Sequence, residues 1–295
     1  MSNHMQAVRP LLRPEYENAT IAPAELGDVA RPLSFWEKLA NNAAFRRGCI
    51  LIALATIWEL YARWLQNPLS FPTFIDTVEA LKDGVASGVI PARLLVSMKS
   101  LVLGYSIGLA LACILTTLAV SNRLATDLLT TLTASFNPMP AIALLPLALL
   151  WFGLGTPSIV FVVVHSVLWA VALNTHSGFL AVPETLRMAG QTFGLKGMRY
   201  AVQILIPAAF PAILAGLKIG WAFAWRTLIA AELVFGVSSG QGGLGWYIFE
   251  NRNTLDTANV FAGLLTVIAV GLFVEEVIFR FIEKKTVRRW GMQRG

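Results

Sequence analysis

The sequence predicts an all-α polytopic membrane protein with six transmembrane helices, and three observations carry that prediction. Hydrophobic residues make up 56% of the chain and charged residues only 14%, against roughly a quarter charged in soluble domains. Mean hydropathy is +0.64. Long stretches lack charge altogether: Leu101 to Asn122, Thr257 to Val274, and Leu128 to Pro183 apart from two histidines. Each reaches the roughly 20 residues that cross a bilayer, and the block from Leu128 is long enough for two crossings. Helices follow because lipid offers backbone amides no other partner.

The elements are read in chain order. Residues 1–44 are polar and carry Pro10, Pro14, Pro23 and Pro32, the composition of a largely disordered tail. This tail contains no apolar run that would serve as a cleaved signal. Near its end Phe35, Trp36 and Leu39 share one side of Leu33 to Ala40, which suits either an interfacial helix or a packing helix. The membrane-embedded body, 45–282, is expected to hold spans at Gly48 to Leu65, Leu94 to Val120, Leu128 to Gly153, Pro157 to Leu180, Pro211 to Phe235 and Thr257 to Ile282. Gly153, Gly155 and Pro157 supply the tight turn between the third and fourth spans. Residues 283–295 form a basic tail. Cys49 and Cys113 follow no metal or disulfide spacing and are read as packing residues.

Orientation follows from lysine and arginine. With both termini inside, Arg46, Arg47, Arg123, Arg187, Lys196, Arg199, Arg280, Lys284 and Lys285 fall on the cytoplasmic side, and Arg63, Lys82, Arg93, Lys99 and Arg252 fall outside. The net charge of +6 is then a consequence of topology and calls for no nucleic-acid partner. The loop after the fourth span is placed inside.

That loop, Pro183 to Pro211, is a polar helix signal between two apolar segments. Pro183 suits a first helical position, Glu184 the positive end of the helix dipole, and Gly194 a left-handed cap. After nine intervening residues, Gly194 is followed by Ile204, Leu205, Ile206 and Pro207. This spacing resembles the EAA-x3-G-x9-I-x-L-P signature of ATP-binding-cassette importer permeases, with one departure. Met188, Ala189 and Gly190 occupy the EAA triplet, so methionine stands at the family's glutamate position.

Other segments resemble the nitrate, sulfonate and taurine importer permeases: Asn137 to Gly155, Asn174-Thr-His-Ser-Gly178, Ile206 to Lys218, Trp225 with Ala231 and Glu232, and Gly243 to Ile248. The resemblance covers roughly Leu51 to Arg289. It implies a type I importer permease fold, a second copy of the chain, an ATPase dimer docked on the loop 183–207 through Glu184, Arg187, Met188, Ala189, Gly190, Gly194, Ile204 and Pro207, and an extracytoplasmic solute-binding protein. The implied location is the bacterial inner membrane, surrounded by lipid, and the implied cargo is an aliphatic sulfonate, taurine or nitrate. ATP and magnesium would be bound by the partner, since this chain has no G-x4-G-K-[ST] loop. The glycine-rich 236–245 lacks the lysine.

Within the spans, Asn137, Pro138 and Pro140, with Trp221, Trp225, Arg226 and Glu232, are the candidate pathway and gate residues. Pro138, Pro140 and Pro146 lack backbone donors, so the third span should be kinked or locally unwound, as a moving gate or as a static bend. Arg226 is expected either to face the pathway and attract an anion or to pair internally with Glu59, Glu275 or Glu276. Gly104-x3-Gly108 and Gly216-x3-Gly220 allow close helix approach. His165 and His176 have no partner at ligand spacing and are read as packing or hydrogen-bonding residues, and no metal site is expected. A stand-alone secondary transporter or channel is the alternative, with Glu232, Glu275 and Glu276 as its coupling acids. A membrane-embedded enzyme is disfavoured, because no nucleophile or H-E-x2-H set is present.

Overall fold

A computed structural model describes residues 37, 39, 41–235 and 242–289. The N-terminal tail, most of the helix expected at Leu33 to Ala40, and most of the glycine-rich segment 236–245 lie outside the described residues. Two units make up the chain, Met1–Leu54 and Ala55–Gly295. Among the described residues every regular element is helical. They are α1 (Ala43–Leu65), α2 (Phe74–Ala86), α3 (Val89–Ser121), α4 (Arg123–Phe136), α5 (Leu145–Phe152), α6 (Thr156–Leu180), α7 (Glu184–Thr192), α8 (Ile206–Phe235), α9 (Leu244–Asn253) and α10 (Thr257–Phe273).

Among the described residues five helices are long and apolar enough to cross a membrane, with a sixth crossing if α4 and the stretch Ala141–Phe152 count together. Those two pieces meet at 90°. The third span is therefore not one helix but two, separated at Asn137 to Pro140 and restarted by a 3-10 turn, Ala141–Leu144. Prolines at 138 and 140 remove the donors that would carry the helix through. The turn into α6 uses Gly153 at φ +74°, with Ser158 donating to the Gly153 carbonyl at 2.5 Å.

Other boundaries differ from expectation. The fifth span begins at Ile206, after a π turn at Ala201–Leu205, so Pro211 lies inside the helix instead of starting it. Its missing N–H removes one rung of the ladder without ending the helix. The last helix continues through two π segments to Arg288. Two helices were not anticipated. α2 is fixed by a capping box in which Thr73 and Asp76 exchange side-chain and backbone bonds. α9 starts at Gly243 and packs on α10 and α8. Burial, and next the negative Asp256, push the Tyr247 hydroxyl of α9 up to about 12. It therefore stays protonated at physiological pH and donates to Asn259 Oδ1 at 2.7 Å.

The core is organised around α6, which packs most extensively on α8 and α3. Both glycine stripes meet it. A Cβ on Gly104 would lie 2.7 Å from Val163, and one on Gly108 2.8 Å from Val167. On the other side, a Cβ on Gly216 would lie 2.8 Å from Asn174 and one on Gly220 2.9 Å from Val171. Without a hydrophobic drive between helices in lipid, such backbone-close seams supply the packing energy. The Asn174 to Gly178 motif belongs to the same seam, since Gly178 abuts Ala212 of α8.

The C-terminal half of α1 is held by aromatic contacts. Trp58 lies 5.8, 5.5 and 5.4 Å from the rings of Phe71, Phe74 and Phe261, and its indole donates to the Pro72 carbonyl at 3.0 Å.

Candidate functional site: the loop helix and the central cavity

The loop between α6 and α8 is a short helix with both ends finished. Pro183, in extended backbone at φ −56° and ψ 139°, immediately precedes α7; the sequence reading placed it one residue further in. The C-terminal end closes as a Schellman motif: Leu195 N–H donates to Gly190 O at 3.0 Å and Gly194 N–H to Gln191 O at 2.9 Å, with Gly194 at φ +73°.

Arg187 ties this helix to the end of α6, donating to Phe179 O at 2.6 Å and to Val182 O at 3.3 Å. The Phe179 carbonyl is one of the last four of α6, which a helix C-terminus leaves without an i+4 partner. Gly190 is buried, and a Cβ there would meet the Tyr200 ring at 2.8 Å and Ile204 at 3.1 Å. Ile204 and Pro207 are half-buried, next to a small core of Val182, Leu205 and Ala209. Glu184 and Ala189 face outward, with Met188 52% and Phe193 82% exposed. The helix is thus anchored to both spans on one side and free on the other.

Gly190→Val tests the inner contact. Overpacking costs about 1–3 kcal/mol, so hydrogen exchange across 184–207 should accelerate while exchange in α6 above Ala170 stays unchanged.

The second site is a cavity of 370 Å³ beside the break in the third span, lined by Phe136 to Ile142, by His165, Ser166 and Trp169 of α6, and by Phe223, Arg226, Thr227 and Ala230 of α8. Asn137, Pro138, Pro140 and Arg226 of the predicted pathway set meet here. Trp221 and Trp225 instead border a 140 Å³ pocket that also reaches Arg226, Lys218 and Glu275. Trp225 donates to Val267 O at 3.1 Å, and Trp221 packs edge-on against Tyr105.

Glu232 borders neither pocket. It is 2% exposed, and its carboxylate accepts from Ser97 Oγ at 2.8 Å and from Gly245 N–H at 2.9 Å. Ser97 Oγ in turn accepts from Leu244 N–H at 2.8 Å. Glu232 therefore holds the start of α9 against α3 and α8.

The internal ion pair expected for Arg226 is absent among the described residues. Glu59 pairs with Arg63 at 2.7 Å and Glu276 with Arg280 at 2.6 Å. Glu275 borders the smaller pocket without an ion pair among the described residues. Lys218 pairs with Glu283 at 2.5 Å. Arg226 is exposed, its Nε donates to the Ala222 carbonyl at 3.0 Å, and its guanidinium lies 5.3 Å from the Phe223 ring.

Sequence reasoning missed the aromatic wall. Phe136 and Trp169 stack at 5.3 Å, and His165 packs edge-on against both. The signal was present in the helical spacing, because 165 and 169 on α6, like 223, 226, 227 and 230 on α8, share one face.

Both features, the capped loop helix and the cavity at the broken third span, lie within a stretch that matches a known family. The family model described as binding-protein-dependent transport system inner membrane component matches residues 104–288. The chain belongs to this family. It is an ATP-binding-cassette importer permease of the nitrate, sulfonate and taurine group, with the all-helical type I permease fold, and it is not itself the ATP-hydrolysing subunit. A putative ABC transporter permease of Methanocaldococcus jannaschii is 32% identical over 240 residues, 80% of this chain and 88% of that protein. A nitrate import permease of Synechocystis is 29% identical over 265 residues, 87% of this chain and 93% of its own. A putative aliphatic sulfonates transport permease of Bacillus subtilis is 28% identical over 244 residues, 82% and 87% of the two chains.

Proposed function

We propose that this permease forms the membrane half of an ATP-driven, binding-protein-dependent importer of small anions. Two copies would enclose the pathway in the cytoplasmic membrane of a bacterium, with both termini inside. An ATPase dimer that binds ATP and magnesium docks on the exposed face of α7, and a solute-binding protein delivers cargo from outside. The observation that carries this reading is the construction of the loop. Its inner side is locked to α6 by Arg187 and to the approach of α8 by Gly190, Tyr200 and Ile204, while Met188, Ala189 and Phe193 are left outward.

A displacement applied to that outward face is therefore passed to both spans. ATPase closure would move α7, and α8 would swing the wall that carries Phe223 and Arg226 against the broken third span. This is alternating access by rigid movement of helices. Cargo named for the relatives, nitrate and aliphatic sulfonates, suits a pathway through the larger cavity, whose described lining includes Arg226 and no carboxylate.

Cysteine replacing Ala189 tests the docking. Bifunctional crosslinking in membranes from the native host should trap the permease with a nucleotide-binding subunit, more strongly or weakly as ATP is added. Solute uptake that persists after ATP depletion, with no ATPase trapped from Ala189→Cys, identifies a self-sufficient carrier and overturns the reading.

A further inference from the structure

The basic stretch at the end of the last span has no part in the transport reading above. The helix that begins as α10 runs on from Thr257 to Arg288 through two π segments. Counted from Thr257, next to the charged cap Asp256, Phe273 lies about 24 Å along the axis, Phe281 about 36 Å and Lys285 about 42 Å. A hydrocarbon core is about 30 Å thick, and its headgroup layers extend the whole to about 40–45 Å. The stretch 273–285 therefore passes from acyl chains into headgroups.

Over that passage one face of the helix changes character. Phe273, Val277 and Phe281, spaced four apart, are 57%, 50% and 56% exposed. Lys284 and Lys285 follow on the same face and are also exposed. The Lys285 ammonium lies 4.5 Å from the centre of the Phe281 ring. An open groove of 410 Å³ runs alongside, with Val277, Ile278 and Phe281 as apolar lining and Arg280 and Lys284 as cationic lining.

Positive charge is in excess here. Glu276, which also borders the groove, pairs with Arg280 at 2.6 Å, and Glu283 turns inward to Lys218. Lys284, Lys285 and Arg289 have no carboxylate partner among the described residues. The face is also held from behind. Val287, 1% exposed, shares a buried cluster with Leu214 of α8 and Phe279, and the Lys218–Glu283 pair ties the neighbouring turn to α8. The lysines are thus presented at a fixed height, unlike cations on a loose tail.

A cytosolic protein would meet the lysines and leave Phe273 and Val277 to the bilayer, whereas one phospholipid reaches both. The geometry points to a binding surface for anionic phospholipid of the cytoplasmic leaflet on the outward face of this helix. Phe273, Val277 and Phe281 receive acyl chains, and Arg280, Lys284 and Lys285 receive the phosphate and headgroup charge. This rests on the placement of both termini inside. Positive residues orient a membrane protein whatever the lipid; a local preference for charged lipid is the additional property.

The test places a bimane fluorophore at Ile278→Cys, with Cys49→Ser and Cys113→Ser removing the native thiols, on the full-length permease in phosphatidylcholine nanodiscs. Phosphatidylglycerol or phosphatidylcholine carrying a nitroxide on the acyl chain is included as quencher. Phosphatidylglycerol should associate at least about fivefold more tightly, the share of one cation near an anionic surface. Lys284→Gln combined with Lys285→Gln should abolish the difference, and so should ~1 M salt, where the Debye length falls to about 3 Å. The same fluorophore at Ile114→Cys, exposed on the uncharged part of α3, should be quenched equally by both lipids.

Equal quenching at Ile278→Cys in the parent overturns the inference, as does a preference that survives the double substitution in a protein that elutes and melts like the parent. Quenching by neither lipid shows that protein, such as a second copy of the chain, covers this face, and likewise overturns it. Orientation is checked apart. Labelling of Arg289→Cys by an impermeant maleimide in intact spheroplasts would reject the placement of the termini together with the cytoplasmic leaflet, whereas a missing lipid preference alone leaves that placement standing.

Discussion

Replacing Glu232 with alanine is expected to lower the thermal midpoint of the detergent-solubilised permease sharply and to expose α9 to protease. Glu232 is the shared acceptor for Ser97 O–H and Gly245 N–H, inside a junction that also takes in Leu244 N–H. Each donor stranded in a buried site costs about 1–3 kcal/mol, so the loss should reach several kcal/mol. Glutamine retains one acceptor oxygen but turns an amide N–H2 toward donors, and an intermediate midpoint follows. Ser97→Ala removes a donor and an acceptor at once. The pair Ser97→Ala and Glu232→Ala should therefore be far from additive, the sign of a shared network. Additive effects, or an unchanged midpoint in Glu232→Ala, would show that this carboxylate does not hold α9 in place. Glycine at 243 and 245 belongs to the same junction, because a Cβ on Gly243 would collide with Glu232 and Ser97, and one on Gly245 would lie 2.6 Å from Glu232 Cβ.

Gly108→Leu should be nearly as damaging. The Cβ alone would sit 2.8 Å from Val167 and 3.2 Å from the Val164 carbonyl, and neither atom is at the free end of a flexible chain. Accommodation requires α3 and α6 to separate along their seam, at a cost above the usual 1–3 kcal/mol of overpacking, since the packing of neighbouring Gly104 on Val163 is lost with it. Low yield in the membrane and an early-melting, aggregated profile are the expected readouts. Gly48→Leu, at a glycine with no atom within 4 Å of a built Cβ, should insert and melt like the parent.

Most of the spans could be read from the chain because each is a long, predominantly apolar run with its ends marked by charge or proline. Thr257 is the first residue of the last span in both the reading and the structure. The break at Asn137 to Pro140 was legible for the same reason, since proline removes donors wherever it falls. Two of the shorter helices were not. α2 and α9 are short and polar enough to pass for loops, and they are held by contacts with residues distant in sequence, as Glu232 is by Ser97.

Of the two alternatives for Arg226, the internal pair could have been discounted from the sequence. Glu59 and Glu276 each have an arginine four residues later, Arg63 and Arg280, a spacing that favours local pairing on a helix. The partner of Lys218, Glu283, needed tertiary structure to find. In the loop helix, Gly194 showed its left-handed role in the sequence, whereas Gly190 showed nothing of its contact with Tyr200.

The right angle in the third span has a mechanical consequence. A hinge works when its open and closed forms compete, and straightening an ordinary bent helix is rewarded by restored amide bonds. Here Pro138, Pro140 and Pro146 have no hydrogen to contribute, so the linear form recovers almost nothing. The corner is then a rigid bracket, keeping Phe136 and Asn137 at constant depth through every stroke of the transporter. Conformational work must be done by the opposing wall, and spin labels at Ser135 and Leu147 should report the same separation whether nucleotide is bound or absent.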